Sequence, residues 1–367
     1  MSCDDQPRQL PLRGLHEKAG ATFGGFAGWS MPISYPAGVM KEHLHTREHA
    51  GLFDISHMKL IAVEGPQAAD LLARLCPLDP LALANGGAKY TFFLNDKAGV
   101  IDDLIVTRLG PERFMVVANA GNAARDITHL RDHAGAFDCA VEPLDRVFLA
   151  LQGPDAADLM VQAGFDLDHL RFMQGAEPRP GWFASRSGYT GEDGFEIGMP
   201  AAEAADVAER LLADERCQWV GLAARDSLRL EAGLCLHGHD IDETTTPPEA
   251  GLMWAVSKPV REARRFIGAD ALLEAAAAGP KRRRVGLKPD GRQPVRDGVE
   301  LFDVTGAPAG RVTSGGFGPS VGHPVAMGYV GADLAAAGTR LEAEVRGRRL
   351  PVSVAPLPFV QPRSRKG

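Results

Sequence analysis

The chain has 367 residues, 45% hydrophobic and 24% charged, which suits two or three folded domains and lacks the composition of a disordered protein. A net charge of −7 speaks against a nucleic-acid binder, and no stretch approaches the roughly 18 uninterrupted apolar residues of a membrane span. The polar N-terminus Met1-Ser2-Cys3-Asp4-Asp5 is neither a secretory signal nor a transit peptide, and five scattered cysteines without a CxxC pair fit reduced thiols in a cytoplasm.

Along the chain the first organised signal is a weak internal repeat. Leu60-Ile61-Ala62-Val63-Glu64-Gly65-Pro66-Gln67-Ala68-Ala69-Asp70-Leu71-Leu72 is echoed by Phe148-Leu149-Ala150-Leu151-Gln152-Gly153-Pro154-Asp155-Ala156-Ala157-Asp158-Leu159-Met160. In each copy an apolar strand reaches a Gly-Pro turn, and proline then sits near the first turn of a helix, where its missing N–H costs nothing. Two such units predict two related α+β subdomains, each with a helix packed on an antiparallel sheet.

Between the copies, Asn95-Asp96-Lys97-Ala98-Gly99 predicts a turn with Gly99 at a positive φ. It leads into Gly99-Val100-Ile101-Asp102-Asp103-Leu104-Ile105-Val106, a strand apolar on both faces with two adjacent aspartates. Side chains alternate across a strand, so Asp102 and Asp103 point to opposite faces. At least one carboxylate therefore lies against apolar surroundings, which is costly unless the acid is paired or used on a substrate. A turn-capping acid or an arginine partner is the alternative for this position.

Gly188-Tyr189-Thr190-Gly191-Glu192-Asp193-Gly194-Phe195-Glu196-Ile197 is a glycine-rich hairpin whose backbone can approach a ligand closely. Glu196 lies between residues that face away from it. A carboxylate accepts two parallel hydrogen bonds, which suits a flat heterocycle edge bearing adjacent N–H groups; an exposed strand acid is the other reading. Helices are predicted from Ala201 to about Ala213, and from Gly221 to a Gly233 terminator at C′. Arg225 and Arg229 share one face of the second helix at i, i+4 spacing, so each needs an anionic neighbour, and for Arg229 an internal ion pair is expected. His43, His45 and His49, and His237 and His239, lack the spacing of a metal motif, and no metal is expected.

An alanine-rich helix, Ala269 to Ala278, ends at Gly279-Pro280. The run Lys281-Arg282-Arg283-Arg284 reads as a solvated linker, and marks a boundary between segments 1–280 and 281–367. Short strands at 285–287, 299–302, 310–313, 341–345 and 352–354 then predict a small β-barrel or sandwich. The cluster Ser314-Gly315-Gly316-Phe317-Gly318-Pro319 reads as a turn, since no helix follows it.

These segments together resemble the aminomethyltransferase (T-protein) family of the glycine cleavage system. The resemblance runs nearly end to end through Phe26 to Pro32, Gly51 to Met58, Gly99 to Val106, Gly188 to Ile197, Gly221 to Glu231, Asp240 to Glu243, Thr313 to Gly315 and Pro358 to Val360. It implies a three-domain cloverleaf around a folate pocket: two α+β subdomains of the ferredoxin-like, antiparallel-sheet type and a C-terminal antiparallel β-barrel. The reaction it implies takes a one-carbon unit from the aminomethylated lipoyl arm of a transiently bound H-protein. Tetrahydrofolate accepts it as 5,10-methylenetetrahydrofolate, and ammonia leaves. By the same resemblance Asp103 is the catalytic acid, Asp102 has a structural partner, and Glu196 meets the pterin ring. Arg225, Asn119, Tyr90 and Tyr189 match pocket positions, Met58 lines the wall, and the C-terminal stretch near Arg363 reaches toward the site, although that stretch departs from the family pattern. A folate-dependent demethylase of a small methylated substrate, on the same fold, is the alternative. A monomer without nucleic-acid or membrane partners is expected.

Overall fold

The structure, a computed structural model, describes residues 6–364. The reading of Met1 to Asp5 therefore lies outside the described residues.

The two copies of the repeat found in the sequence form the hearts of two different sheets. In the first copy the Lys59–Glu64 strand is followed by the Ala68–Leu75 helix, and in the second Val147–Gln152 by Ala156–Gln162. Gly65 and Gly153 adopt φ of 137° and 133° between strand and helix. A Cβ on Gly153 would stand 2.1 Å from the His49 carbonyl oxygen, so the turn closes against backbone and only glycine fits. Gly153→Ala should lower unfolding free energy by about 1–3 kcal/mol, measured by chemical denaturation. A denaturation midpoint equal to wild type would show that the turn can open.

Strands Ala88–Leu94, Val100–Arg108, Arg113–Ala118, Lys59–Glu64 and Ala140–Leu144 make an antiparallel five-stranded sheet in that order. A six-stranded sheet runs Gln174–Ala176, Phe183–Arg186, Gly194–Met199, Val147–Gln152, Ala50–Asp54, Cys217–Trp219, with only the last pair parallel. The chain thus leaves the second sheet after Asp54, builds the first, and returns at Val147. Period-2 alternation divides each strand between two cores. Phe114 and Val116 face the helices Ala68–Leu75 and Ala123–Ala134, while Met115 and Val117 face the other sheet. Leu149 and Leu151 likewise pack under Ala156–Gln162 and Ala201–Leu212, while Phe148 and Ala150 meet Leu60, Met115 and Val117 in the seam. The sheets pack face to face with helices outside, an α+β arrangement.

The C-terminal part closes into a six-stranded antiparallel barrel: Arg282–Pro289, His323–Gly331, Pro308–Gly318, Glu300–Asp303, Arg340–Val345, Arg348–Ala355. Three local expectations are corrected here. The basic run is no solvated linker: Arg282 to Arg284 belong to the first barrel strand. Arg282 pairs with Glu249, and Arg284 donates to the Gly233 and Ala250 carbonyls, tying the barrel to helix ends. The Ser314–Gly318 cluster is strand and not turn, because a Cβ at Gly315 would meet the Val295 carbonyl at 1.8 Å. In the 95–99 turn the positive φ falls on Ala98, at 62°, not on Gly99. Glycine is needed at 99 for another reason, a backbone contact with Glu243 that a Cβ would reduce to 1.8 Å.

Candidate functional site

Alternation delivers both singled-out acids to the seam between the sheets. Asp103 shares its face of Val100–Arg108 with Ile105, which packs in the seam, and Asp102 shares the opposite face with Leu104 and Val106 of the helix-side core. Glu196 stands opposite Ala150 in the ladder and projects into the same seam, its neighbours Phe195 and Ile197 facing the other core.

Asp103 is half-buried and accepts from the Tyr90 hydroxyl at 3.0 Å and from Asn119 Nδ2 at 3.0 Å. Asn119 follows the Arg113–Ala118 strand and reaches around the neighbouring strand, so its Nδ2 also meets Asp102 Oδ1 at 3.0 Å. Asp102 is wholly buried and accepts again from Asn122 Nδ2 at 2.6 Å, the structural partnership expected for it. Burial, with the Asp102 charge second, pushes the Asp103 carboxyl up to about 7, while His237 and the Tyr90 hydrogen bond act against the shift. A carboxyl poised near neutrality can take up and return protons. Burial drives the Tyr90 phenol well up, so it stays a donor.

Toward the six-stranded sheet, Glu196 accepts from the Ser187 hydroxyl at 2.8 Å. Burial raises its carboxyl, and the Arg225 charge and Ser187 oppose this. Arg225 leaves the Leu222–Glu231 helix with its guanidinium over the Tyr189 ring, 4.9 Å from the centroid, and with Nη2 3.9 Å from Met58 Sδ. Its Nη1 is buried without a hydrogen-bond partner, an orphaned donor on a cation that asks for an acceptor. Tyr189 donates to the Cys235 carbonyl and lies close enough to feel both Asp103 and Arg225, linking the two halves. Beside Arg225 is a small cleft lined in part by Met31, Phe53, Asp54 and His57. A larger open depression formed by Lys258, Arg261, Glu262, Arg264 and Leu273 contains none of these residues.

Asp103, Tyr90 and Asn119 are thus one cluster, and Glu196, Arg225, Tyr189 and Met58 another, on the same seam. Arg363 is not gathered with them. Its backbone N–H reaches Gly191, Nη1 donates to the Arg47 carbonyl at 3.2 Å, and Nε lies 3.6 Å from Glu192, on the far side of the glycine hairpin. Arg229 has the internal pairing expected of it, to Asp226 and buried Asp240, both at 2.8 Å. His43 is enclosed by Ser227, Glu231 and Ser320. Among the described residues no group of three or more His, Cys, Asp or Glu is arranged to hold a metal, and no helix is long and apolar enough to cross a membrane. Sequence reasoning missed Asn122, Asp126, Ser187 and Trp254, and weighed His237 only as a metal ligand. Trp254 stacks on Tyr90 at 5.5 Å, and no local pattern in the chain announces that meeting. The Asn119-x-x-Asn122-x-x-x-Asp126 spacing at a helix start was the one available clue.

Comparison with known proteins gives the family of the chain. Residues 12–259 match the GCVT N-terminal domain family, and residues 282–361 match the glycine cleavage T-protein C-terminal barrel domain. The chain is 43% identical over 364 residues to the mitochondrial aminomethyltransferase of Gallus gallus, covering 96% of this chain and 92% of that protein. It is 40% identical over 362 residues to the aminomethyltransferase of Saccharopolyspora erythraea, covering 96% and 98%. The crystal structure of the glycine cleavage system aminomethyltransferase T from Bartonella henselae superimposes with a TM-score of 0.97 at 59% identity, over 98% of this chain and 99% of that one. With both of its parts matched in order, the chain belongs to the glycine cleavage T-protein family.

Proposed function

We propose that this chain is the aminomethyltransferase of a glycine cleavage system and that it moves a one-carbon unit from an aminomethylated lipoyl arm to tetrahydrofolate. The observation that carries the reading is Asp103, held by Tyr90 and Asn119 at the seam with its carboxyl near neutrality, together with Glu196 and the unsatisfied Arg225 Nη1 on the same seam. This set fits a pterin. Glu196 has acceptor capacity beyond its Ser187 bond for two adjacent N–H groups, and Arg225 offers a buried donor to a ring oxygen or nitrogen. Bound folate supplies the nitrogens that accept the carbon. The chain's residues do the rest by placement and proton handling.

Atoms balance without any further reagent. Carbon–sulfur and carbon–nitrogen bonds to the donor break, two bonds to folate nitrogens form, and the two N–H protons lost there end on sulfur and on ammonia. The Asp103 carboxylate takes a proton at its Oδ atoms and returns it to a departing group. Tyr90 and Asn119 fix the carboxylate's orientation, and Tyr189, near enough to feel the Asp103 charge, helps exclude water around it. The H-protein is proposed as a transient partner, with this chain a monomer. All four described cysteines are free, which supports a reducing, cytoplasmic setting.

The test is formation of methylenetetrahydrofolate from aminomethyl-loaded lipoyl H-protein and tetrahydrofolate. Product made from a small methylated substrate and not from the H-protein would replace this reading by demethylation. Because Asp103 must be ionised to accept the proton, turnover should rise with pH through about 7 and then level. A pH–rate profile flat between about 5.5 and 8.5 would remove Asp103 from the proton-handling role.

A further inference from the structure

Asn122 opens the Ala123–Ala134 helix, a place where an asparagine side chain ordinarily accepts from first-turn N–H groups. Here it makes no such cap. Its amide nitrogen stands instead between two other side chains, 2.6 Å from Asp102 Oδ1 and 2.9 Å from His237 Nδ1. Those two atoms are 3.9 Å apart, too far to bond each other, so the two hydrogens of one amide serve them separately.

The polarity of this chain follows from its first member. Asp102 is wholly buried and collects three donors: the Asn119 backbone N–H, Asn119 Nδ2 and Asn122 Nδ2. Turned the other way, the Asn122 amide would set its oxygen 2.6 Å from Asp102 Oδ1, acceptor against acceptor. The nitrogen therefore faces both neighbours, and His237 Nδ1 must accept and carry no proton. The ring hydrogen then sits on Nε2 and is donated to the Val100 carbonyl at 3.2 Å, where the Asp103 strand begins.

His237 lies in the loop after the Leu222–Glu231 helix, two residues past the Cys235 carbonyl that accepts from Tyr189. Its ring thus ties that loop to residues 119–122 and to the strand that carries both acids. The charged groups facing it are Asp102 and Asp103 from the strand and Glu243 from its own loop, the last paired with Arg125 of the helix. Asp103 in turn is faced by Tyr90, Tyr189 and Cys235.

We propose that His237 is a positioning residue whose unprotonated Nδ1 locks the Asn122 amide onto Asp102, which leaves Asn119 to hold Asp103 as well. Asn119 Nδ2 lies 3.0 Å from both Asp102 Oδ1 and Asp103 Oδ1. Release of Asn122 deprives Asp102 of a donor, and Asp102 then draws Asn119 to itself. The Asp103 carboxylate loses a bond that favours its ionised form, and its proton is held to higher pH. The consequence for turnover rests on the aminomethyl-transfer reading. The place of the ring proton does not.

His237→Leu should move the pH–rate midpoint up by about one unit, the worth of one hydrogen bond to a charged group. Turnover at pH 6 then falls about tenfold, with little change in the KM for tetrahydrofolate. His237→Asn, whose side-chain oxygen can stand in for Nδ1, should restore both readings. A midpoint that stays in place or moves down in His237→Leu overturns the proposal, as does a shift that His237→Asn shares in full. Failure of the functional reading is a different result, a wild type that makes no product from the H-protein. If His237→Leu does not fold, nitrogen-15 NMR of the wild-type protein at about pH 8, where an ordinary histidine is neutral, decides without substrate. With the His237 signal assigned by its loss in His237→Asn, a bare, hydrogen-bonded Nδ1 and a protonated Nε2 are expected. A proton on Nδ1 overturns the assignment.

Discussion

Replacement of Asp103 by Asn should lower turnover by about 10²- to 10⁴-fold with folate and aminomethyl donor saturating, while the protein folds normally. The amide keeps the shape and can still accept from the Tyr90 hydroxyl, but it cannot take up a proton at neutral pH. The stability sign is opposite to the activity sign. Folded Asp103 holds its proton up to about 7, well above the unfolded carboxyl, so its contribution is complete at low pH and lost as pH rises through about 7. Asp103→Asn lacks that loss, so its melting temperature should equal or exceed wild type at pH 8 when both are followed by calorimetry. Wild-type turnover in this variant, or a collapse of its melting transition, would each defeat the assignment by a different route.

Glu196→Ala should weaken tetrahydrofolate binding by about 10- to 150-fold, the equivalent of 1.5–3 kcal/mol for a lost hydrogen-bonding interaction with a charged acceptor. The carboxylate is 4% exposed and satisfied within the protein by Ser187 alone, so its remaining capacity faces the seam. Titration calorimetry reads the affinity, and a thermal melt reads the fold beside it. Because Glu196 grips the ring at a distance from the proton-handling acid, turnover at saturating folate should fall far less than affinity. Unchanged affinity with lost turnover would exchange the roles given to Glu196 and Asp103. Glu196→Gln, which retains shape but lacks the charge that supports Arg225, should fall between wild type and Ala.

Local rules read well wherever backbone geometry leaves few choices. The strand–Gly-Pro–helix repeat emerged at Lys59–Leu75 and Val147–Gln162, and the alanine-rich helix at Ala269–Ala278, because periodicity and Gly or Pro punctuation act within a few residues. Failures came where distant chain set the meaning of a local pattern. Gly315 looked like a turn because nothing nearby shows that the Val295 carbonyl lies against it, and Arg282 and Arg284 looked solvated because their partners at 249, 250 and 233 are remote in sequence.

For the site, alternation alone stated that Asp102 and Asp103 face apart and that Glu196 leaves its strand on the side away from Phe195 and Ile197. The resemblance supplied the names of Tyr90, Asn119, Tyr189, Arg225 and Met58. What only the tertiary structure decided is which faces are turned toward each other. Two sheets, built by a chain that leaves one and returns to it, bring residues 103 and 196 onto a shared seam, tuck Asp126 behind the first, and send Arg363 elsewhere. Side-chain direction is a property of the adjacent backbone and travels with the sequence. Burial, the sharing of Asn119 by two carboxylates and the resulting upward push on Asp103 depend on elements that meet only when the apolar faces pack.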